Sequence, residues 1–490
     1  KRAGYIVMEY VGGRSLKELL EDRRDANGGR ADPMPVDRAI SYVRAILPAF
    51  RHLHERALVY CDFKPENLIQ VGEQVKLIDL GAVRRIDDRT SDIYGTPGFQ
   101  APEIAEEGVS VPSDLYTIGR TLAVLTLDFR GYQSKFQFSI PDPADHPALR
   151  RFDSFHRFLL KATAYHPDDR FQSAEEMDDQ LLGVLREVVA QETGRPQPAP
   201  SVVFAQAIDD HQLPLLAVDA GDPAAAFLTN LPADAPGVVL QQIDDALAAA
   251  QVTESVEVQL RRAKALIDAG DLDSAERELD KVEGEDPWEW RADWLRGVAA
   301  GVSGDAVTAV RAFDRCWSEV PGELAPKLAL GLAFERAGDL ALAGALYGMV
   351  VTTDPSYVAA ARGLARCRVR AGDVAGALDA LGRIPSTHLA YPAAQLEAVE
   401  LLIAAGKYPE AAVRLERLEV DAYRRAELEV ALAEAAVGAL GERGGRSAEE
   451  RRLRSDLDKA LRALARLTPD AVERSRLVDR ANHIRPLTLL

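Results

Sequence analysis

The sequence predicts an α+β, mainly α-helical domain followed by an all-α solenoid, and three observations carry that assignment. Over residues 1–190, short β-branched runs such as VKLIDL (75–80) mix with amphipathic helical segments. At 192–200, ETGRPQPAP places three prolines in nine residues, more than a helix or a central strand tolerates. Beyond residue 250, Gly270, Gly304, Gly338, Gly372 and Gly406 recur at intervals of 34. A chain of 490 residues exceeds what one hydrophobic core organises, so several domains are expected.

The first domain is expected to span 1–190. Within it, VDRAISYVRAILPAFRHLHE (36–55) sets Val36, Ala39, Ile40, Val43, Ile46, Leu47, Phe50 and Leu53 at helical spacing, which predicts one buried helix. Residues 191–250 read as an extended linker and an irregular, Asp/Pro-broken segment. From 251 to 420 a repeat is expected. Five residues after each spaced glycine stands an alanine (Ala275, Ala309, Ala343, Ala377, Ala411), and nine after it Leu279, Phe313, Tyr347, Leu381 or Leu415. Each unit thus reads as a helix closed by a glycine able to take positive φ, a polar turn, and a second helix whose alanine permits close packing. Pro287, Pro321 and Pro355 then stop the second helix in three units. This 34-residue helix–turn–helix period resembles the tetratricopeptide family over residues 254–418. Residues 421–490 are expected to be C-terminal helices.

Composition narrows the function classes. With 47% hydrophobic and 28% charged residues the chain is globular in character, outside the signature of disorder. Its formal charge of −18 opposes binding to a phosphate backbone, so no nucleic-acid partner is expected. Cys61, Cys316 and Cys367 stand far apart without CxxC spacing, which argues against a disulfide framework or zinc site and fits a reducing cytoplasm. No apolar run approaches the ~20 residues that span a bilayer.

The chemistry concentrates in VYCDFKPENLI (59–69). Moving a γ-phosphoryl group requires a carboxylate to orient the attacking hydroxyl, a cation near the phosphate, and oxygen ligands for a metal that neutralises developing charge. Asp62, Lys64 two residues on and Asn67 five residues on supply those types in the D-x-K-P-x-N spacing. Twelve residues after Asn67, Asp79-Leu80-Gly81 closes the apolar VKLI and offers a second metal-binding carboxylate. Then come GTPGFQAPE (95–103), ending in Glu103, SDLYTIG (113–119) with Asp114, and HPDDRF (166–171) with Arg170.

Taken in this order, the motifs make residues 1–190 resemble the large lobe of a eukaryotic-like Ser/Thr protein kinase. With the REVVAQETG exit (186–194), the repeats and the closing RLVDRANHIRP (476–486), the chain resembles the actinobacterial protein kinase G (PknG) type. The resemblance implies an ATP- and magnesium-dependent enzyme. Asp62, Lys64 and Asn67 would be catalytic, Asn67 and Asp79 would hold magnesium, and Thr96 and Gly98 would belong to the substrate loop, favouring serine and threonine. Glu103 would pair with Arg170, and Asp114 would anchor the catalytic loop. VMEYV (7–11) would be the fifth strand and hinge, with Met8 as gatekeeper, the Glu9 carbonyl and Val11 amide facing adenine, and Ile69 beneath the base. The chain is therefore expected to open in the middle of a kinase domain, with the small lobe's glycine-rich loop and lysine, and a rubredoxin-like metal module, lying upstream. The resemblance further implies a forkhead-associated-domain substrate that regulates glutamate and 2-oxoglutarate metabolism, a possible homodimer through the repeats, and a cytoplasmic location.

Departures from the pattern carry their own expectations. Cys61 replaces the arginine of many kinases, weakening the pocket that reads activation-loop phosphate, so activity is expected not to depend on phosphorylation at Thr90 or Ser91. A redox role for Cys61 weighs less than a small, partly buried residue. Tyr60 for histidine and Leu80 for phenylalanine read as packing substitutions, and Cys316 and Cys367 as core. His146, His156 and His166 lack metal spacing, and RRDANGGR (23–30) lacks the GK[ST] ending of a phosphate loop and reads as a surface loop. The competing reading is a catalytically inert kinase-fold scaffold that works through its repeats.

Overall fold

A computed structural model of the chain describes residues 11–88, 95–205, 213–232, 235–440 and 447–485. Two compact units result, the first running to Asp339 and the second beginning at Leu340.

The first unit opens with strand β1 (Arg14–Ser15) and helix α1 (Leu16–Ala26). The Ser15 side chain accepts from the Glu18 amide while Glu18 reaches back to Ser15, a capping box that satisfies first-turn donors. RRDANGGR, expected as a surface loop, instead supplies the last turn of α1, and its glycines Gly28 and Gly29 take positive φ just beyond. Helix α2 (Val36–His54) follows the predicted stripe, burying Val36, Ala39, Ile40, Val43, Ile46, Leu47 and Phe50. They join one core with Leu122, Phe158 and Leu181, drawn from α4 (Val111–Thr126), α6 (Asp153–Ala162) and α7 (Ala174–Thr193), which α3 (Ile104–Glu107) and α5 (Pro147–Arg151) accompany.

Short strands frame the loop between α2 and α3. β2 (Leu58–Val59) pairs antiparallel with β5 (Arg84–Arg85). β3 (Leu68–Val71) pairs with both β1 and β4 (Gln74–Leu77). The run VKLIDL is strand only as far as Leu77, because the chain turns at Asp79, whose φ is 63°.

The first two residues of the 192–200 stretch end α7, and the proline-rich remainder forms neither helix nor strand and is held by Arg186, whose Nε donates to the Gln197 carbonyl at 2.6 Å. β6 (Phe204–Ala205) pairs with β7 (Leu215–Leu216), and the Phe204 ring meets Trp294 edge-on at 4.7 Å. The segment 191–250, expected to be irregular, contains a short helix α8 (Ala225–Thr229) and the longer α9 (Pro236–Ala248). α9 forms because Pro236 sits in its first turn, where no amide donor is missed, and Val239, Ile243 and Ala246 fall on one buried face. Helices α10 (Val256–Ala269), α11 (Leu272–Glu285), α12 (Trp290–Ser303), α13 (Ala306–Glu319) and α14 (Leu324–Ala337) complete this unit.

The second unit comprises α15 (Leu340–Thr353), α16 (Val358–Arg370), α17 (Val374–Gly382), α18 (Tyr391–Ala404), α19 (Tyr408–Glu416), α20 (Ala422–Gly438), α21 (Ala448–Leu467) and α22 (Ala471–Ile484). The last three close a core around Val430, Leu461 and Leu477. The five period-34 glycines adopt φ between 72° and 87°, as the turn requires. Every alanine five residues on is buried, as is every residue nine on. Cys316 and Cys367 are also buried.

Candidate active site

The loop between β2 and β3 is held from beneath by α4. Asp114, 1% exposed, accepts from the Tyr60 and Cys61 amides, each at 2.7 Å, and from His54 Nε2 at 3.0 Å. Two amides converging on one carboxylate form charge-assisted bonds that fix the backbone. They hold Cys61 at φ 72°, a left-handed conformation that side chains ordinarily avoid. The chain can then reverse and present Asp62. Tyr60 lies fully buried between Phe50 and Phe63, and its hydroxyl donates to the Ile78 carbonyl. Burial, reinforced by Asp79 and Asp62, pushes the Tyr60 phenol up, so it remains a neutral donor.

Four of the expected residues meet at Asp62. Asp62 Oδ2 lies 2.6 Å from Lys64 Nζ, and Asp62 Oδ1 accepts from Thr96 Oγ1 at 2.8 Å. Lys64 Nζ also donates to Thr96 Oγ1 at 2.8 Å, closing a triangle. Asn67 Nδ2 donates to the Asp62 carbonyl at 2.8 Å, which leaves its Oδ1 as the acceptor side of the amide. Asp79 is positioned through the backbone, since the Ile78 amide donates to the Asn67 carbonyl at 2.9 Å. The Asp79 carboxylate is exposed and accepts from the Gly81 amide at 3.1 Å.

The remaining expected residues fall around this centre. Ile69 sits on β3 opposite Ser15. The chain before β1 approaches it so closely that a Cβ on Gly13 would lie 2.8 Å from Ile69 Cγ2. Val11 is half-buried. Met8 and Glu9 lie outside the described residues, as do Thr90 and Ser91. Glu103 and Arg170 form a bidentate, buried pair at 2.8 and 2.7 Å, and the Arg170 guanidinium lies over the Tyr116 ring at 4.8 Å. Gly98 takes φ 87°.

One expectation about a side chain changes and another holds. Leu80, read as a packing substitution, is 53% exposed, because the turn at Asp79 directs it away from the core. Cys61 is 6% exposed, and burial pushes its thiol up to about 12, which removes the thiolate a redox role needs. Sequence reasoning passed over His54, and also Arg120, whose Nε donates to the Gly98 carbonyl at 2.7 Å. The available signal for Arg120 was one cation inside the apolar run LYTIGRTLAVL.

Two family models together match most of the chain. Residues 1–180 match the family described as protein kinase domain, and residues 190–488 the family described as protein kinase G tetratricopeptide repeat. The serine/threonine-protein kinase PknG of Mycobacterium leprae is 43% identical over 331 residues, covering 60% of this chain and 42% of that protein. PknG of Mycolicibacterium smegmatis is 41% identical with the same coverage. PknB of Mycobacterium tuberculosis is 31% identical over 246 residues, 46% of this chain and 36% of that protein. The chain thus spans less than half the length of these curated relatives. With kinase-domain similarity ahead of it and the repeat family matching well over half of its residues, the chain belongs to the protein kinase G tetratricopeptide repeat family.

Proposed function

We propose that this chain carries the catalytic-loop side of a serine/threonine protein kinase that transfers the ATP γ-phosphoryl group to a protein hydroxyl. The observation that supports the reading most directly is the Asp62–Lys64–Thr96 triangle. Asp62 accepts from the Thr96 hydroxyl and can accept from an incoming serine or threonine hydroxyl, orienting its oxygen for attack and taking its proton. Lys64 sets a positive charge beside that carboxylate, where the migrating phosphoryl group gathers negative charge. The exposed Asp79 carboxylate and the Asn67 amide oxygen are the hard oxygen donors magnesium prefers. When bound, the metal neutralises charge on the nucleotide phosphates. In the same reading the Glu9 carbonyl, the Val11 amide and Ile69 hold adenine.

The finer assignments rest on resemblance: a forkhead-associated-domain regulator of glutamate and 2-oxoglutarate metabolism as substrate, self-association through the repeats, and a cytoplasmic site of action. No described helix is long and apolar enough to cross a membrane. The test is phosphate transfer from γ-labelled ATP by the full-length protein containing this chain. Asp62→Asn is expected to lower the rate by about 10²–10⁴-fold, and Asp79→Ala to abolish labelling. Absent labelling by the unmodified protein, or labelling by both variants equal to that of the unmodified protein, would instead favour the inert scaffold.

A further inference from the structure

Arg120 is fully buried in the middle of α4, yet among the described residues its partners include no carboxylate. Its guanidinium is satisfied by four main-chain carbonyls: Gly98 at 2.7 Å from Nε, Ser139 at 2.7 Å from Nη1, and Tyr132 at 3.1 Å and Phe136 at 2.7 Å from Nη2. The group also lies over the Phe129 ring at 4.9 Å. A buried charge ordinarily requires an opposite charge, and spreading it over oriented carbonyl dipoles is the alternative way to keep it ionised. Such a fork is specific, because only a planar guanidinium presents five donors in fixed directions.

These carbonyls come from two segments distant in sequence. Gly98 belongs to the loop carrying Thr96, and Tyr132, Phe136 and Ser139 to the turn-rich stretch after α4. The two segments meet tightly. A Cβ on Gly98 would lie 2.7 Å from Tyr132 Cδ2 and 3.1 Å from Gln133 Cγ, and the Phe99 ring meets Tyr132 edge-on at 5.4 Å. Two residues before Gly98, the Thr96 hydroxyl contacts both Asp62 and Lys64. α4 therefore grips the site twice. Asp114 fixes the amides that present Asp62, and six residues later, about 9 Å along the helix axis, Arg120 fixes the carbonyls that present Thr96 and Gly98.

We propose that Arg120 is a positioning residue for the polypeptide substrate: it locks the Thr96–Gly98 segment to residues 132–139, so that Tyr132 and Gln133 flank the strip along which the chain bearing the acceptor hydroxyl lies. The inference rests on the phosphotransfer reading above. It separates two tasks within one site, since the backbone presenting Asp62 is fixed by Asp114 and the bonds of Asn67 and Asp79 do not involve Arg120, with Thr96 as the one contact that the two sides share. Loss of Arg120 loosens the substrate side and leaves the nucleotide side in place.

The experiment uses the full-length protein with Arg120→Gln, which keeps two donors and no charge, and Arg120→Lys, which keeps the charge without the planar fork. Steady-state kinetics give KM for a protein substrate, KM for ATP and kcat, and amide hydrogen exchange is followed over residues 95–100, 131–139 and 60–69. The expected result for Arg120→Gln is a rise of about tenfold or more in the protein-substrate KM, with KM for ATP and kcat within about threefold of the unmodified protein. Arg120→Lys falls between the two. Exchange accelerates together over 95–100 and 131–139 and stays unchanged over 60–69. A merely structural role would shift all three kinetic constants and all three segments together, and that result, or an unchanged substrate KM, overturns the proposal. Should Arg120→Gln fail to fold, Arg120→Lys decides alone by the same split. If the unmodified protein transfers no phosphate, the phosphotransfer reading fails and the kinetic role falls with it, while the exchange data still decide whether Arg120 couples the two segments.

Discussion

Cys61 combines a φ of 72° with near-complete burial, and both follow from the two amide bonds to Asp114. A non-glycine residue in this region costs about 1–2 kcal/mol, which the bonds to an ionised acceptor, at about 1.5–3 kcal/mol each, offset. The thiol has a separate consequence. Its pKa lies at about 12 in the folded protein against 9.0 for an ordinary cysteine, so between those values the unfolded chain loses a proton that the folded chain keeps. Stability from this group is therefore intact below about pH 9 and declines as pH rises toward 12, by up to ~1.4 kcal/mol per pH unit. All four tryptophans fall within residues 288–317, so their fluorescence reports unfolding of the first unit. Between pH 8.5 and 10.5 the denaturant midpoint read this way should fall less steeply for Cys61→Ala than for the unmodified protein. Parallel slopes would show that Cys61 is free to ionise in place.

At the scale of elements, α6 and α7 are joined to α13 and α14 by a buried polar cluster. Lys327 on α14 and Glu187 on α7 are 0% and 1% exposed and pair at 2.7 Å. Ser154 donates to the same Glu187 oxygen at 2.8 Å, and Trp317 Nε1 donates to Ser154 at 3.1 Å. The backbones touch alongside, since a Cβ on Gly183 would stand 2.1 Å from the Gly322 carbonyl oxygen. Removing one member strands the other charge without water, so Lys327→Met should lose about 3–5 kcal/mol. Adding Glu187→Gln should restore part of that loss, and a double variant as unstable as the sum of the singles would show that the pair is not coupled. None of this was legible in sequence, where Lys327 and Glu187 resemble any solvated helix charge and owe their burial to a partner 140 residues away. The repeats, by contrast, were legible because each unit solves the same local problem: Gly304 must take positive φ and Ala309 must face inward. The Asp62–Lys64–Asn67 loop was legible for a related reason, its spacing being set by the local turn. The grip of Arg120 on residues 132–139 arises only after folding.

For the first unit as a whole, the kinase-like lobe packs against helices that lie beyond the proline-rich linker. Arg157 donates to Asp314 Oδ1 at 2.7 Å and lies over the Trp317 ring at 4.0 Å, and Lys161 pairs with Glu319 at 2.9 Å. Together with the buried Glu187–Lys327 pair, these contacts make the helices up to Ala337 part of the structure that supports α6 and α7, and through them the core beneath α4. A chain ending at residue 190 uncovers the face bearing Gln180, Gly183 and Glu187, whereas one ending at Asp339 keeps it covered. Both retain Asp62, Lys64, Asn67 and Asp79, so the comparison isolates the supporting role of the helices. By circular dichroism the shorter chain should melt roughly 5–10 °C below the longer one, as expected for the loss of a few kcal/mol in a domain of this size. Equal melting temperatures would mean that the lobe stands on its own core and that the α13–α14 contact is an accessory.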